Sequence, residues 1–100
     1  HWPSRWGGAL ESEPKRILAA KTARAKVNEI LKQNQEANIL LMGDFNDYPE
    51  DISLTESLLA KGNINELKRG ELFNLMYDKA EKHEGSHKYQ KEWGALDQII

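Results

Sequence analysis

The feature that most constrains this chain is a short apolar run, "NILLM" at residues 38–42, that ends at Gly43 and continues directly into the polar loop "DFNDYPED". A continuous apolar run of this length, bounded by an asparagine and a glycine, is typical of a strand that is buried on both faces. Functional loops of layered α/β folds concentrate at the carboxyl ends of such strands. The sequence therefore predicts an α/β fold with a candidate site in this loop.

A long helical pattern precedes the apolar run and is expected to cover it. Apolar residues recur there at steps of three and four and form one stripe, made of Ile17, Ala20, Ala23, Val27, Ile30 and Leu31. The pattern predicts a helix from about Glu13 to Gln33, capped by Ser12. We expect Ile17, Val27 and Ile30 to pack onto the strand. The Lys and Arg residues on the other helix faces are interpreted as solvated surface.

The second half of the chain adds shorter elements to this layout. Residues 51–62 predict a short helix, and residues 72–77 one further helical turn. Two strand-like runs follow, "SHKYQ" and "WGALDQII", and only Lys91 and Glu92 separate them, which predicts a tight hairpin. Together the elements predict one helix-covered mixed β-sheet with a C-terminal hairpin.

The composition bounds the size and the partners of this domain. One hundred residues suffice for one modest hydrophobic core. The net charge of -2, with both signs interspersed, gives no basic field that would hold nucleic acid by charge alone. The absence of cysteine excludes disulfides and thiolate metal sites but does not indicate a compartment. No apolar run approaches the roughly 18 residues of a membrane-spanning helix.

The loop after the apolar run carries side chains with catalytic chemistry. Asp44 and Asn46 are two residues apart, so in extended backbone they point the same way, while Phe45 points into the core. A carboxylate accepts a proton or binds a hard cation, and an amide donates to a phosphate or an oxyanion. The alternative is a turn in which Asn and Asp bond the backbone locally. Spacing alone leaves both interpretations open.

A second candidate acid lies near the C-terminus. Asp97 falls inside an apolar strand pattern, where a bare carboxylate is costly unless it is paired. A buried aspartate often orients a histidine by accepting its ring N–H. The alternative is a residue at a strand end that faces water. Of the histidines, His1 is the candidate for a site, whereas His83 and His87 are interpreted as exposed surface.

Aromatic and basic residues near His1 are candidates for contacting a substrate. Arg5 and Trp6 follow His1 within a few residues, and Trp2 is adjacent to it. Arginine contacts phosphate, and tryptophan stacks on planar groups. The alternative for the tryptophans is that they cover the core.

Three motifs occur in a fixed order along the chain: "HWPSR", then "NILLMGDFND", then "LDQII". Together they resemble the endonuclease/exonuclease/phosphatase superfamily, which includes pancreatic-type deoxyribonuclease, abasic-site endonucleases, inositol polyphosphate phosphatases and neutral sphingomyelinases. The resemblance covers essentially the whole chain. It implies a four-layer α/β sandwich and hydrolysis of phosphate esters with the help of Mg²⁺ or Mn²⁺.

The resemblance also implies a role for each candidate residue. His1 matches a histidine that contacts the scissile phosphate, and Asp97 matches an aspartate that orients the catalytic histidine. Asp44 matches the aspartate that orients or deprotonates the attacking water and helps to bind the metal. Asn46 matches an asparagine that hydrogen-bonds the phosphate and helps to hold that aspartate. Arg5 and Trp6 are carried as further substrate-binding candidates.

Other residues of the superfamily pattern do not occur in this sequence. The metal-binding glutamate would precede His1, and the histidine that Asp97 orients would follow Ile100. We therefore expect residues 1–100 to form a single partial domain that is truncated at both ends and inactive alone. An uncovered sheet face would favour self-association. The alternative function is a small non-catalytic α/β binding or interaction module.

Overall fold

The long helical pattern forms helix α1, Ala9–Gln33, in a computed structural model that describes residues 1–100. The prediction of Ser12 as the N-cap was wrong. The N-cap is Gly8, whose φ of 118° is not helical. Ser12 instead lies inside α1 and is buried, and its hydroxyl donates to the Gly8 carbonyl at 2.6 Å. The helix therefore starts about one turn earlier than its apolar stripe indicates.

Helix α1 packs on the connection that follows the polar loop. That connection contains a π-helical segment, Ser53–Ser57, and α1 lies against it. The main buried cluster joins both elements to the sheet, through Ala20, Phe45, Leu54, Leu58, Ala60 and Ile100. Val27 is buried, as expected, and Leu41 of the apolar run packs against the same cluster as Ala20 and Ala23 of the helix.

The apolar run and the C-terminus pair with each other. Strand β1, Met42–Asp44, runs antiparallel to the last strand of the chain, Asp97–Ile99. The register places Met42 opposite Ile99 and Asp44 opposite Asp97. The predicted "WGALDQII" strand is therefore split: its Asp97–Ile99 part pairs with the apolar run as expected, whereas Glu92–Gly94 pairs with His87–Tyr89 in a separate ladder.

The expectation that the apolar run is buried on both faces was wrong. The ladder has two strands, and only one of its faces packs on the core, through Phe45 and Ile100. The opposite face is open, so that Leu40 and Met42 remain 66% and 70% exposed. Ile99, the cross-strand partner of Met42, is exposed with them. We call Leu40, Met42 and Ile99 the open apolar face.

The segment that was expected to form a helix at residues 51–62 is only partly helical. It contains the short π-helical segment and then turns into strand β2, Ala60–Lys61. Strand β2 pairs in parallel with β3, Leu72–Phe73, where a helical turn had been expected. Leu59, whose φ is 60°, ends the helical backbone just before Ala60, and its carbonyl accepts the Leu72 N–H at 2.9 Å.

Two short helical elements flank β3, a 3-10 turn at Ile64–Glu66 and helix α2 at Tyr77–Glu81. The predicted hairpin is present as β4, His87–Tyr89, and β5, Glu92–Gly94. Its turn lies one residue earlier than expected, at Gln90 and Lys91, which both adopt positive φ. Two-residue turns of this kind match the twist of the strands they join.

These strands form three separate two-stranded ladders instead of one mixed sheet, and the last strand, Asp97–Ile99, is β6. The molecule is thus a small α/β domain with one long helix and several short strands. None of its helices combines the length and the apolar character that a membrane span requires.

Candidate active site

Two carboxylates lie side by side at the end of the β1–β6 ladder. Asp44 is directly opposite Asp97, and the flanking hydrogen bond runs from the Phe45 N–H to the Leu96 carbonyl at 2.9 Å. The pair is therefore of the non-hydrogen-bonded kind, in which the side chains share one face and approach most closely. Like charges in this arrangement destabilise a ladder. Positive charge at this position is consequently favourable.

His1 lies beside this pair of carboxylates. Its Nε2 atom is 3.6 Å from Oδ2 of Asp44. The neighbouring residue fixes this arrangement, because the Trp2 N–H donates to the Asp44 carbonyl at 2.9 Å. The Trp2 ring stacks on Phe45 with centroids 4.5 Å apart, which anchors the terminal segment in the core. The structure thus places His1 beside Asp44, and Asp97 opposite Asp44 across the ladder, where Asp97 is at a strand end and exposed to water.

Asn46 reaches the same place by a different backbone path from the one expected. β1 ends at Asp44, and Asn46 is left-handed, with φ at 52°, so the two residues do not continue one extended strand. The Asn46 N–H donates to Oδ1 of Asp44 at 2.9 Å, and its side-chain Nδ2 donates to the Trp2 carbonyl at 2.9 Å. The turn that spacing left open is therefore present, and it orients Asp44 by holding one of its oxygens.

Arg5 is turned towards the loop. Its Nε donates to the Asn46 carbonyl at 2.8 Å, and its Nη2 contacts Asp47 Oδ1 at 3.2 Å and Asp51 Oδ2 at 2.9 Å. The guanidinium also lies over the Tyr48 ring, 4.7 Å from its centroid. These contacts hold the loop that carries Asn46. The suggested contact between Arg5 and a substrate stays a prediction.

A buried ion pair beneath the loop was missed in the sequence. Arg16 and Asp47 are only 1% and 2% exposed, and Arg16 Nε donates to Asp47 Oδ1 at 2.7 Å. The second Asp47 oxygen accepts from the Ser53 hydroxyl at 2.6 Å, and Arg16 also donates to the Ser12 hydroxyl at 2.6 Å. The view of the helix cations as solvated surface was wrong here. Arg16 stands four residues before Ala20, on the buried stripe, which was the available signal.

Asp51 lies at the edge of this ion pair. Burial raises the pKa of its carboxyl, and the nearby negative charge of Asp47 adds to this, while the Tyr48 N–H and Arg5 lower it. A raised pKa means that the folded state holds the proton more tightly than the unfolded state. Ionised Asp51 therefore costs stability at neutral pH, and this cost disappears as the pH falls through the folded pKa.

A groove of about 470 Å³ opens next to Asn46, between the terminal segment and the β4–β5 hairpin. Its walls include Trp6, which is 92% exposed, and Tyr89 from the hairpin. The two tryptophans differ: Trp2 packs in the core, whereas Trp6 does not and is free to contact a ligand. Tyr48 and Tyr89 were not recognised as candidates in the sequence, because neither belongs to a motif.

The comparison with protein families identifies the family of this chain. The profile of the "Endonuclease/Exonuclease/phosphatase family" matches residues 1–100, the whole chain, and the chain therefore belongs to that family. The family name covers nucleases and phosphatases, which hydrolyse phosphate esters. Comparisons with curated proteins and with solved structures gave no match. The chain is therefore a small α/β domain of a family whose members are generally hydrolases.

Proposed function

We propose that this chain is part of a divalent-metal-dependent hydrolase of phosphate esters, either a phosphodiesterase of the nuclease type or a phosphatase. The observation that carries the proposal is the pairing of Asp44 with Asp97 across the ladder, with His1 Nε2 at 3.6 Å from Asp44. Phosphoryl transfer needs positioning and charge neutralisation more than covalent chemistry. Acids and a histidine that converge on one spot supply both.

In this proposal Asp44 positions the attacking water. Its Oδ1 is held by the Asn46 N–H, which leaves Oδ2 directed towards His1. A carboxylate fixed in this way can orient a water molecule and accept its proton. His1, whose side chain is mostly exposed, contacts the phosphate from the other side.

Asn46 serves as the phosphate donor. A carboxamide carries two N–H groups, and one of them donates to the Trp2 carbonyl. The remaining N–H is available for a phosphate oxygen, where a pre-oriented donor stabilises the charge that develops in the transition state. Asp97 orients a histidine that the superfamily pattern places beyond this sequence.

The residues present fit Mg²⁺ or Mn²⁺ in part. Asp44 and Asp97 offer hard oxygen donors on one face of the ladder, although the chain brings no group of three or more potential ligands together. Mg²⁺ is commonly held by one or two carboxylates, with water and substrate phosphate completing its shell. When bound, the ion would neutralise phosphate charge. Asp44 is the residue proposed to hold it.

The carboxylate pair makes a prediction that does not depend on activity. We expect Mg²⁺ to raise the thermal unfolding midpoint of the chain, because a cation relieves the repulsion between Asp44 and Asp97. Asp97→Asn should raise stability without Mg²⁺ by up to about 1 kcal/mol and should diminish the response to the ion. Glu50→Gln, in the same loop, is the matched control. A Mg²⁺ response unchanged in Asp97→Asn would contradict the assignment.

We further propose that the complete site needs the glutamate and the second histidine of the superfamily pattern, within a four-layer sandwich. His83 and His87 are not paired with Asp97 in the structure, so neither replaces that histidine. The 100-residue chain is then expected to be inactive alone. The test compares it with the full-length protein on DNA, RNA, sphingomyelin and inositol phosphates, with and without a chelator. Inactivity of the full-length protein on all of them would favour the non-catalytic binding module.

The open apolar face predicts self-association of the 100-residue chain. Leu40, Met42 and Ile99 lie on the same side of the ladder as the two acids. We expect light scattering to report a mass that rises with concentration, and Met42→Lys to restore a monomer. Leu18→Lys, at an exposed position on α1, is the control and should change nothing. A wild-type monomer at all concentrations would refute the prediction.

A further inference from the structure

The groove beside Asn46 has the character of a site for a flat, uncharged group. Trp6 forms one wall, and the hairpin forms the other. In the hairpin register Tyr89 is opposite Glu92 and His87 is opposite Gly94, so these side chains share one face. Exposed aromatic rings beside polar groups suit a planar ligand that stacks and also hydrogen-bonds through its edge.

The base of the groove is built so that the hairpin can lie close to it. A Cβ atom at Gly94 would come within 2.7 Å of the Tyr48 hydroxyl, so only glycine permits this contact. On its other side the Tyr48 ring is covered by the Arg5 guanidinium at 4.7 Å. Tyr48 is therefore held between Arg5 and the hairpin, and the groove has a fixed floor.

The charge of the groove excludes a polyanionic headgroup as its occupant. Arg5 borders the groove, but its Nε and Nη2 donate to the loop and its carboxylates. Glu92 adds a negative charge. Lys88 lies on the opposite hairpin face, with its Nζ 5.7 Å from the Trp93 ring centroid. A ligand with several phosphates would find no free cation on this surface.

We propose that the groove binds an unpaired nucleobase of a single-stranded nucleic acid, next to the phosphate that His1 and Asn46 contact. The inference rests on the proposed function, because that phosphate fixes where the strand lies. Asn46 borders both places, so a base attached to the bound phosphodiester reaches the space between Trp6 and Tyr89. Base stacking on aromatic side chains tolerates any base, since every base has a π face.

The test separates base binding from phosphate binding. Fluorescence anisotropy is measured for the 100-residue chain with labelled oligodeoxythymidylate and with a strand of equal length built only from abasic sites. We expect tighter binding of the strand with bases by on the order of tenfold or more. The dependence on salt should be shallow, because few counterions are released where free cations are few.

Variants identify the groove. Trp6→Ala and Tyr89→Ala should remove the preference for bases, and both side chains are exposed, so the fold survives the change. Tyr77→Ala, which removes an aromatic ring that does not line the groove, is the control and should keep the preference. Equal binding of both strands, no binding of either, or an unchanged preference in Trp6→Ala would each overturn the proposal.

The same measurements distinguish this inference from the proposed function. Asp44→Ala should abolish hydrolysis by the full-length protein and retain the preference for bases. If the wild-type protein hydrolyses its substrate in a metal-dependent way but shows no preference for bases, the groove proposal is wrong and the proposed function stands. If Asp44→Ala hydrolyses the substrate at the wild-type rate, the proposed active site is wrong and the groove proposal stands. Tighter binding of inositol hexakisphosphate than of the strand with bases would show that the groove takes polyanions instead.

Discussion

Replacing Asp44 by alanine in the full-length protein is expected to lower kcat by about 10²–10⁴-fold, the range for a positioned proton acceptor. Asn46→Ala should cost about 10²–10³-fold, because it removes one donor to the developing charge. The measurement is initial rates of phosphodiester hydrolysis at saturating Mg²⁺. The two effects should be less than additive when combined, since the Asn46 N–H holds the Asp44 carboxylate.

The control for these variants is Glu50→Ala, an exposed acid of the same loop. Like Asp44→Ala, it removes one negative charge from the loop. It should leave the rate within about twofold of wild type, as surface changes usually do. Circular dichroism of each variant establishes that the fold is intact. A normal rate for Asp44→Ala or Asn46→Ala would show that the loop is only a turn.

Asp47→Ala is expected to have the largest effect on stability of any single change in the loop. It leaves the Arg16 guanidinium buried without its counter-ion, which in comparable buried pairs costs about 3–5 kcal/mol. A domain of this size has a total unfolding free energy of about 5–15 kcal/mol. We therefore expect the urea midpoint of Asp47→Ala to fall in proportion, by at least about a fifth.

Asp51→Asn is the matched comparison for this change. Asp51 shares Arg5 with Asp47 but is partly exposed, and burial raises its pKa. Removing its charge relieves part of the cost of burial, so we expect a change of less than about 1 kcal/mol. If Asp47→Ala and Asp51→Asn shifted the midpoint equally, the Arg16–Asp47 pair would not be the main support of the loop.

The sequence was informative where the apolar pattern and the fold agree. The continuous apolar run at residues 38–42 indicated a strand, which in the structure is three residues long at the end of the run, Met42–Asp44, and the pattern around Asp97 indicated its partner β6. The long stripe of α1 located a helix of nearly the observed length. These features depend on local periodicity, which a single sequence displays directly.

The remaining errors have physical causes that local periodicity cannot express. The extent of burial on each face of β1 depends on which elements lie opposite, and the open apolar face has none. Asn46 has left-handed backbone, and its N–H donates to the Asp44 carboxylate. The two-residue spacing of Asp44 and Asn46 does not indicate this turn. Arg16 was buried because a carboxylate 31 positions away pairs with it. Such contacts depend on tertiary structure.

The buried pair of Arg16 and Asp47 also restricts which substitutions this chain can accept during evolution. A substitution at either position passes through a form with an uncompensated charge in the interior, and such a form loses about 3–5 kcal/mol, a large part of the stability of a small domain. Compensating changes must therefore arrive nearly together. We expect Arg16 and Asp47 to vary jointly among relatives, and the geometry of the neighbouring Asn46 to be inherited with them.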